Sequence, residues 1–139
     1  MAFVHLHVHS QYSILDGTLD PADLADAAAK AGMKAVAMTD TANLYGAVAF
    51  YKACKGKGVK AIIGAELHVQ PEGMDHADPL REEGGYQVVA LVEDDEGYHN
   101  LCALVTDAIF HGVRYKPRTD LARLARHSAG LVFLTGGRK

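Results

Sequence analysis

Short apolar runs alternate along this chain with segments whose apolar residues recur at helical spacing. From Phe3 to His9, Val4, Leu6 and Val8 interleave with His5, His7 and His9, the period of two that gives a strand one apolar face. Asp20-Pro21-Ala22-Asp23 reads as a helix start: an aspartate cap, proline at the first helical position and an acid in the first turn. That helix runs through Leu24, Ala27, Ala28 and Ala31 and stops at Gly32. Lys34 to Thr39 reads as a buried strand. A second helix, 43–55, places Leu44, Val48 and Tyr51 on one stripe and ends at Gly56 and Gly58. Strands follow at 59–69 and 86–92, separated by a polar loop rich in Glu, Asp, Gly and Pro (70–85). A helix opening at 93–96 uses Tyr98, Leu101, Leu104, Val105 and Ile109. After a loop containing Pro117 come a short helix, about 120–126, and a last strand, 131–135.

Helices separating nearly all the strands predict an α/β fold of parallel βα units. The strand ends then fall near His9, Asp40, Glu66, Val92 and Thr135, in an open sheet or most of a barrel. In either arrangement ligands gather at the carboxyl ends of the strands. The sequence stops just after a strand, which predicts a truncated piece of a larger barrel. At 139 residues with 49% apolar content the chain reads as one domain or part of one. No apolar run reaches the roughly 18 residues of a membrane span, and the start lacks the basic region of a signal peptide. Cys54 and Cys102 cannot build a disulfide framework and read as small buried hydrophobes. A cytoplasmic location is the default.

Charge is uneven. Residues 1–110 hold 7 Lys/Arg against 16 Asp/Glu, whereas residues 111–139 hold 7 Lys/Arg against the single acid Asp120. The acidic body suits bound cations. In the basic end, Arg114, Lys116 and Arg118 are candidates for phosphate contact, against the plainer alternatives of a solvated surface and a structural turn.

Three histidines on one strand face, pointing into a barrel or cleft, need partners, and a divalent metal supplies one. Asp40, Glu66 and Asp16 fall at the same rim and complete a metal-site constellation with His7 and His9. Alternatives stay open: the histidines could face water from an edge strand, Asp40 could cap the next helix, and Asp16 could be a turn residue. Tyr45 and Tyr51 read as core residues, and His68, His76, His99, His111 and His127 show no ligand spacing.

Four segments, HLHVHSQYSILDG (5–17), MTDTANLYGAVAFYKACKGKGVKAIIGAEL (38–67), EGYHNL (96–101) and YKPRTD (115–120), resemble the polymerase-and-histidinol-phosphatase (PHP) domain. The resemblance is to the version at the N-terminus of bacterial DNA polymerase III α subunits, and it covers essentially the whole chain. It implies a distorted (β/α)7 barrel with parallel strands, of which residues 1–139 would be the N-terminal part. It also implies metal-dependent phosphoester cleavage in active members, including 3′–5′ exonuclease activity, and a scaffold role where the site has decayed. By position His7 and His9 match the paired metal histidines, Asp16 the acid after the first strand and Glu66 the metal-bridging glutamate. Asp40 matches the aspartate of a Thr-Asp-His segment, and His5 is a weaker candidate.

The departures are Thr41 and Gln87 where active members have histidines, and Gly137 where they have a cysteine. Hydroxyl, amide and glycine cannot replace imidazole and thiolate toward zinc or manganese. The expectation is therefore at most one weakly held Zn or Mn, no appreciable hydrolysis by this piece, and Mg only for the parent polymerase. The implied partners are the rest of the polymerase chain, replisome subunits and, through the parent enzyme, DNA. No membrane is involved, and a truncated barrel would tend to self-associate through its open sheet edge. The competing readings are a stand-alone PHP phosphoesterase and a non-catalytic interaction module.

Overall fold

The Asp20 carboxylate accepts the Ala22 N–H and Pro21 takes the first position of helix α1 (Pro21–Lys30), where its missing N–H costs nothing. The elements that follow are β1 (Ala35–Thr41), α2 (Ala47–Lys57), β2 (Lys60–Gln70), β3 (Tyr86–Val92), α3 (Asp95–His111), β4 (Arg118–Asp120), α4 (Leu121–Arg126) and β5 (Leu131–Thr135). The structure, a computed structural model, describes residues 3–74, 86–114 and 116–136. Most of the 70–85 loop, together with His76, Tyr115 and Gly137, lies outside the described residues.

The sheet runs β1-β2-β3-β5, with β4 added to β2. Residues 60–66 of β2 pair with β1 and residues 68–70 with β4, while β3 pairs along 64–69. A strand has only two edges, so β4 continues the edge that β1 leaves. The β1–β2 and β2–β4 pairs are parallel; β2–β3 and β3–β5 are antiparallel. Uniformly parallel strands are thus not what the chain builds. The 70–85 connection is the one between long strands that carries no helical pattern. Antiparallel neighbours can be joined by a loop, whereas parallel ones need a crossover. In consequence Val92 sits at the far end of the sheet from Asp40, and it is the start of β3, Tyr86-Gln87, that lies near the end of β2. Glu66 is not a strand end either, because β2 continues four residues beyond it to Gln70.

Residues 3–9 form no regular strand. They run extended beside β1: His5 O accepts the Ala37 N–H and Val8 O accepts the Thr39 N–H, each at 2.8 Å. Three residues here span two in β1, so the pairing carries an extra residue, as in a bulge. The Thr39 hydroxyl fills the gap, accepting from Val8 N–H at 2.9 Å and donating to Val8 O. The apolar face expected of this segment is only partly realised: Val8 joins the core and Val4 is half-buried, but Leu6 is exposed.

Two cores form on the helix side of the sheet. Val36 and Met38 of β1 meet α1 through Leu24, Ala25 and Ala28, and α2 through Phe50 and Cys54. Ala65, Leu67 and Val69 of β2 meet Leu101, Leu104 and Val105 of α3 and Leu124 of α4. A smaller cluster, Ala37, Val89 and Leu91 with Ile62 and Leu134, covers part of the opposite face. Helix α2 buries Ala47, Phe50 and Cys54 rather than the stripe expected from its sequence. Both triplets satisfy helical spacing, and contact with the sheet selects the one carrying Phe50. Val48, Tyr45 and Tyr51 are therefore exposed, and Tyr45 meets the ring of Tyr12 edge to face instead of entering the core.

Helix α3 starts against the turn before β5. Asp94 caps it through the Gly97 N–H, and Glu93 N–H donates to Gly130 O. Backbone packs on backbone here: a Cβ on Gly97 would lie 1.7 Å from Gly130 O, while one on Gly56 would meet nothing. We expect Gly97→Ala to destabilise the fold by about 3 kcal/mol through overpacking. Gly56→Ala, by relieving a helical glycine, should add about 0.5–1 kcal/mol. Urea unfolding of the two variants checks both signs.

Candidate metal centre

Strand alternation decides which acids face the histidines. Thr41 pairs with Glu66 in the parallel β1–β2 ladder, so their side chains share a face, and Asp40, paired with Ala65, lies on the other. His68, buried two residues beyond Glu66, and Gln87 of β3, its partner in the ladder, continue the Glu66 face. The N-terminal segment brings two imidazoles to the same place. His7 Nε2 lies 2.8 Å from Glu66 Oε2 and His9 Nε2 lies 3.3 Å from the same oxygen. The two rings meet edge to face at 5.2 Å. The other carboxylate oxygen, Oε1, accepts from Gln87 Nε2 at 3.1 Å.

Glu66 is 1% exposed. Burial alone would push its carboxyl up, but the His9 and His7 imidazoles beside it outweigh that and hold it near a pKa of about 2. In return the Glu66 carboxylate raises His9 above its ordinary 6.5 against the opposing push of burial; Asp16 and Asp40 add smaller pulls. Asp16 itself is exposed, on the 10–17 turn.

Asp40 has a different task. Its carboxylate accepts the Ser10 N–H, the Ser10 hydroxyl and the Ser13 hydroxyl, each at 2.7 Å. It thereby ties the turn after His9 to the helix side of β1. Neither serine was among the sequence candidates, and nothing local marks them, since their partner lies 27 and 30 residues away.

Among the described residues His7, His9 and Glu66 form the one group of metal-ligating side chains whose donor atoms all lie within 4.8 Å of one another. Donors about 2.0–2.1 Å from a tetrahedral zinc lie roughly 3.3 Å apart, close to the His9–Glu66 separation. His9 Nε2 meets the carboxylate at 3.3 Å without the geometry of a hydrogen bond, and Thr41 Oγ1, buried on the same face, has no hydrogen-bond partner. Two imidazoles and a carboxylate, one of the imidazole nitrogens lacking a well-formed hydrogen bond, fit one divalent cation.

Residues 5–139 match the family model described as PHP domain. The chain belongs to the PHP domain family. It is 43% identical over 136 residues to the DNA polymerase III subunit alpha of Treponema pallidum and 42% identical over 136 residues to that of Chlamydia trachomatis. In both cases it covers 97% of this chain. It spans only 12% and 11% of those relatives. An amidohydrolase from Chromobacterium violaceum, with bound sulfate and no metal, superimposes with a TM-score of 0.58 at 25% identity, over 77% of this chain and 33% of that one. A protein of Bifidobacterium adolescentis assigned to the metal-dependent phosphoesterases gives a TM-score of 0.57 at 21% identity, over 78% and 34%. The PHP domain of this chain therefore matches the N-terminal region of polymerase III α subunits and part of a larger barrel.

The other candidates of this PHP domain fall outside the cluster. His5 packs against Phe3. Arg118 is buried in β4 with its guanidinium on Gly112 O and Met74 O, so it is no surface for phosphate. Arg114 is exposed and Lys116 half-buried. Arg123 is neutralised by Asp107 and Asp120, which draws charge out of the basic end.

Two outcomes follow. Asp40→Ala should cost about 3 kcal/mol, because buried donors lose a charged acceptor, and hydrogen exchange should show residues 10–17 released. In chelator-treated protein, Glu66 contributes stability above its unfolded value of 4.5 that is lost as pH falls toward about 2. His9 contributes below 6.5, and that part is lost as pH rises through its raised folded value. The stability gap between wild type and Glu66→Gln should therefore be widest between pH 4.5 and 6.5, as read by urea midpoints across pH.

Proposed function

We propose that this chain serves as the N-terminal PHP domain of a bacterial DNA polymerase III α subunit, a cytoplasmic enzyme through which it meets DNA and the other replisome subunits. Its own contribution is to brace the polymerase body around a reduced, one-cation site. The observation that carries this reading is the composition of the Glu66 face. His7 and His9 are in place, but the neighbouring positions are Thr41 and Gln87. Similarity to polymerase III α subunits along almost the whole chain supports the larger context.

His7, His9 and Glu66 would hold the cation, zinc or manganese by donor type. A divalent ion there supplies Lewis acidity toward a phosphate oxygen and lowers the pKa of bound water. Phosphoester hydrolysis with a clamp on both attacking and leaving oxygens asks for a second cation. Thr41 offers a neutral hydroxyl and Gln87 spends its amide on Glu66, so neither residue supplies an imidazole for it. A stand-alone phosphoesterase would need those ligands.

Calorimetric titration of the purified chain should give about one equivalent of Zn²⁺ or Mn²⁺, with His9→Ala weakening binding by at least about 100-fold. No Mn²⁺-dependent shortening of a 3′-recessed primer should be detected. Sustained primer degradation that disappears in His9→Ala would overturn the scaffold reading.

A further inference from the structure

The two oxygens of Glu66 have divided partners. Oε2 faces both imidazoles, and Oε1 accepts from Gln87 Nε2. An ionised carboxylate only accepts hydrogen bonds, so it is the amide NH₂ of Gln87, not its carbonyl, that turns toward it. Gln87 is itself fixed from behind. The Gly136 N–H donates to Gln87 O at 2.8 Å, and a Cβ on Gly136 would come within 2.6 Å of Gln87 Cβ. Its backbone therefore has little room to retreat, and its side chain reaches Glu66 from a set position in the β2–β3 ladder.

We propose that Gln87 is a positioning residue that commits Glu66 to a single cation. This rests on the one-cation reading given above and assigns its cause. A carboxylate bridging two cations gives one oxygen to each. Here the donor on Oε1 presents the positive end of an N–H where a second cation would sit. The same hydrogen bond sets the rotation of the carboxylate, so that Oε2 meets His7 and His9 together. Partners of this kind around a metal ligand typically change metal affinity by 10–100-fold when removed. Thr41, on the same face, offers no imidazole to compensate.

The test uses the purified chain and Co²⁺ alone, with Gln87→Ala and Gln87→His as variants and circular dichroism as the check on folding. Wild type should bind one equivalent. Gln87→Ala should bind about tenfold more weakly and shift the Co²⁺ visible spectrum, since a freed carboxylate changes how it ligates; a purely structural role would leave that spectrum alone. Gln87→His should raise the stoichiometry to two. Two equivalents in wild type, or a Gln87→Ala affinity and spectrum equal to wild type, would overturn the inference while leaving cation binding intact. Should Gln87→His not fold, Gln87→Ala decides by itself. No binding by wild type at all would instead remove the one-cation reading beneath it.

Discussion

A carboxylate buried in the middle of a sheet is the constraint around which the rest is arranged. Glu66 sits at 1% exposure with β2 continuing on both sides of it. Leaving such a charge without partners would cost several kcal/mol. It is compensated by His7 and His9 from the N-terminal segment and by Gln87 from β3. With Glu66 on β2, these groups come from three separate stretches of chain, so satisfying Glu66 also closes the N-terminal segment onto the sheet. The same grouping of imidazoles around an acid is what the proposed cation site would use, so the fold and that site would share one electrostatic solution.

Asp40 shows how the pleat divides labour between acids. It lies one residue before Thr41, which stands beside Glu66, yet the alternation of the strand sends it to the other face. There it gathers three donors from Ser10 and Ser13 and holds the turn that follows His9. One buried aspartate thus anchors the backbone that presents the histidines, while Glu66 receives them. The bulged pairing of residues 5–8 with β1, bridged by the Thr39 hydroxyl, belongs to the same device. An irregular segment needs side-chain partners where the ladder does not supply them.

The legible part of the site was its periodic part. Spacing by two at His7 and His9, together with the family pattern at Glu66, pointed to residues that the structure gathers within a few ångströms. The Gln87 position, matched only by alignment to the family, also lies against Glu66. Illegible were contacts whose two halves are far apart in the chain, such as Ser10 and Ser13 with Asp40, or Arg118 with Met74 O. Tyr51 misled because a helix offers more than one apolar stripe, and which one is buried depends on what lies opposite, while Tyr45 lies before α2 starts.

The sequence by itself determined the main helices and four of the five strands, because caps, glycine stops and hydrophobic period are local properties of the chain. It also determined which residues could carry cation chemistry, since donor type is written in the side chain. Tertiary structure alone decided the direction of β3, the insertion of β4 beside β2, and the face on which each acid stands. Those outcomes depend on pairing register and on loop closure between distant segments, where a shift of one residue moves a carboxylate from one side of the sheet to the other.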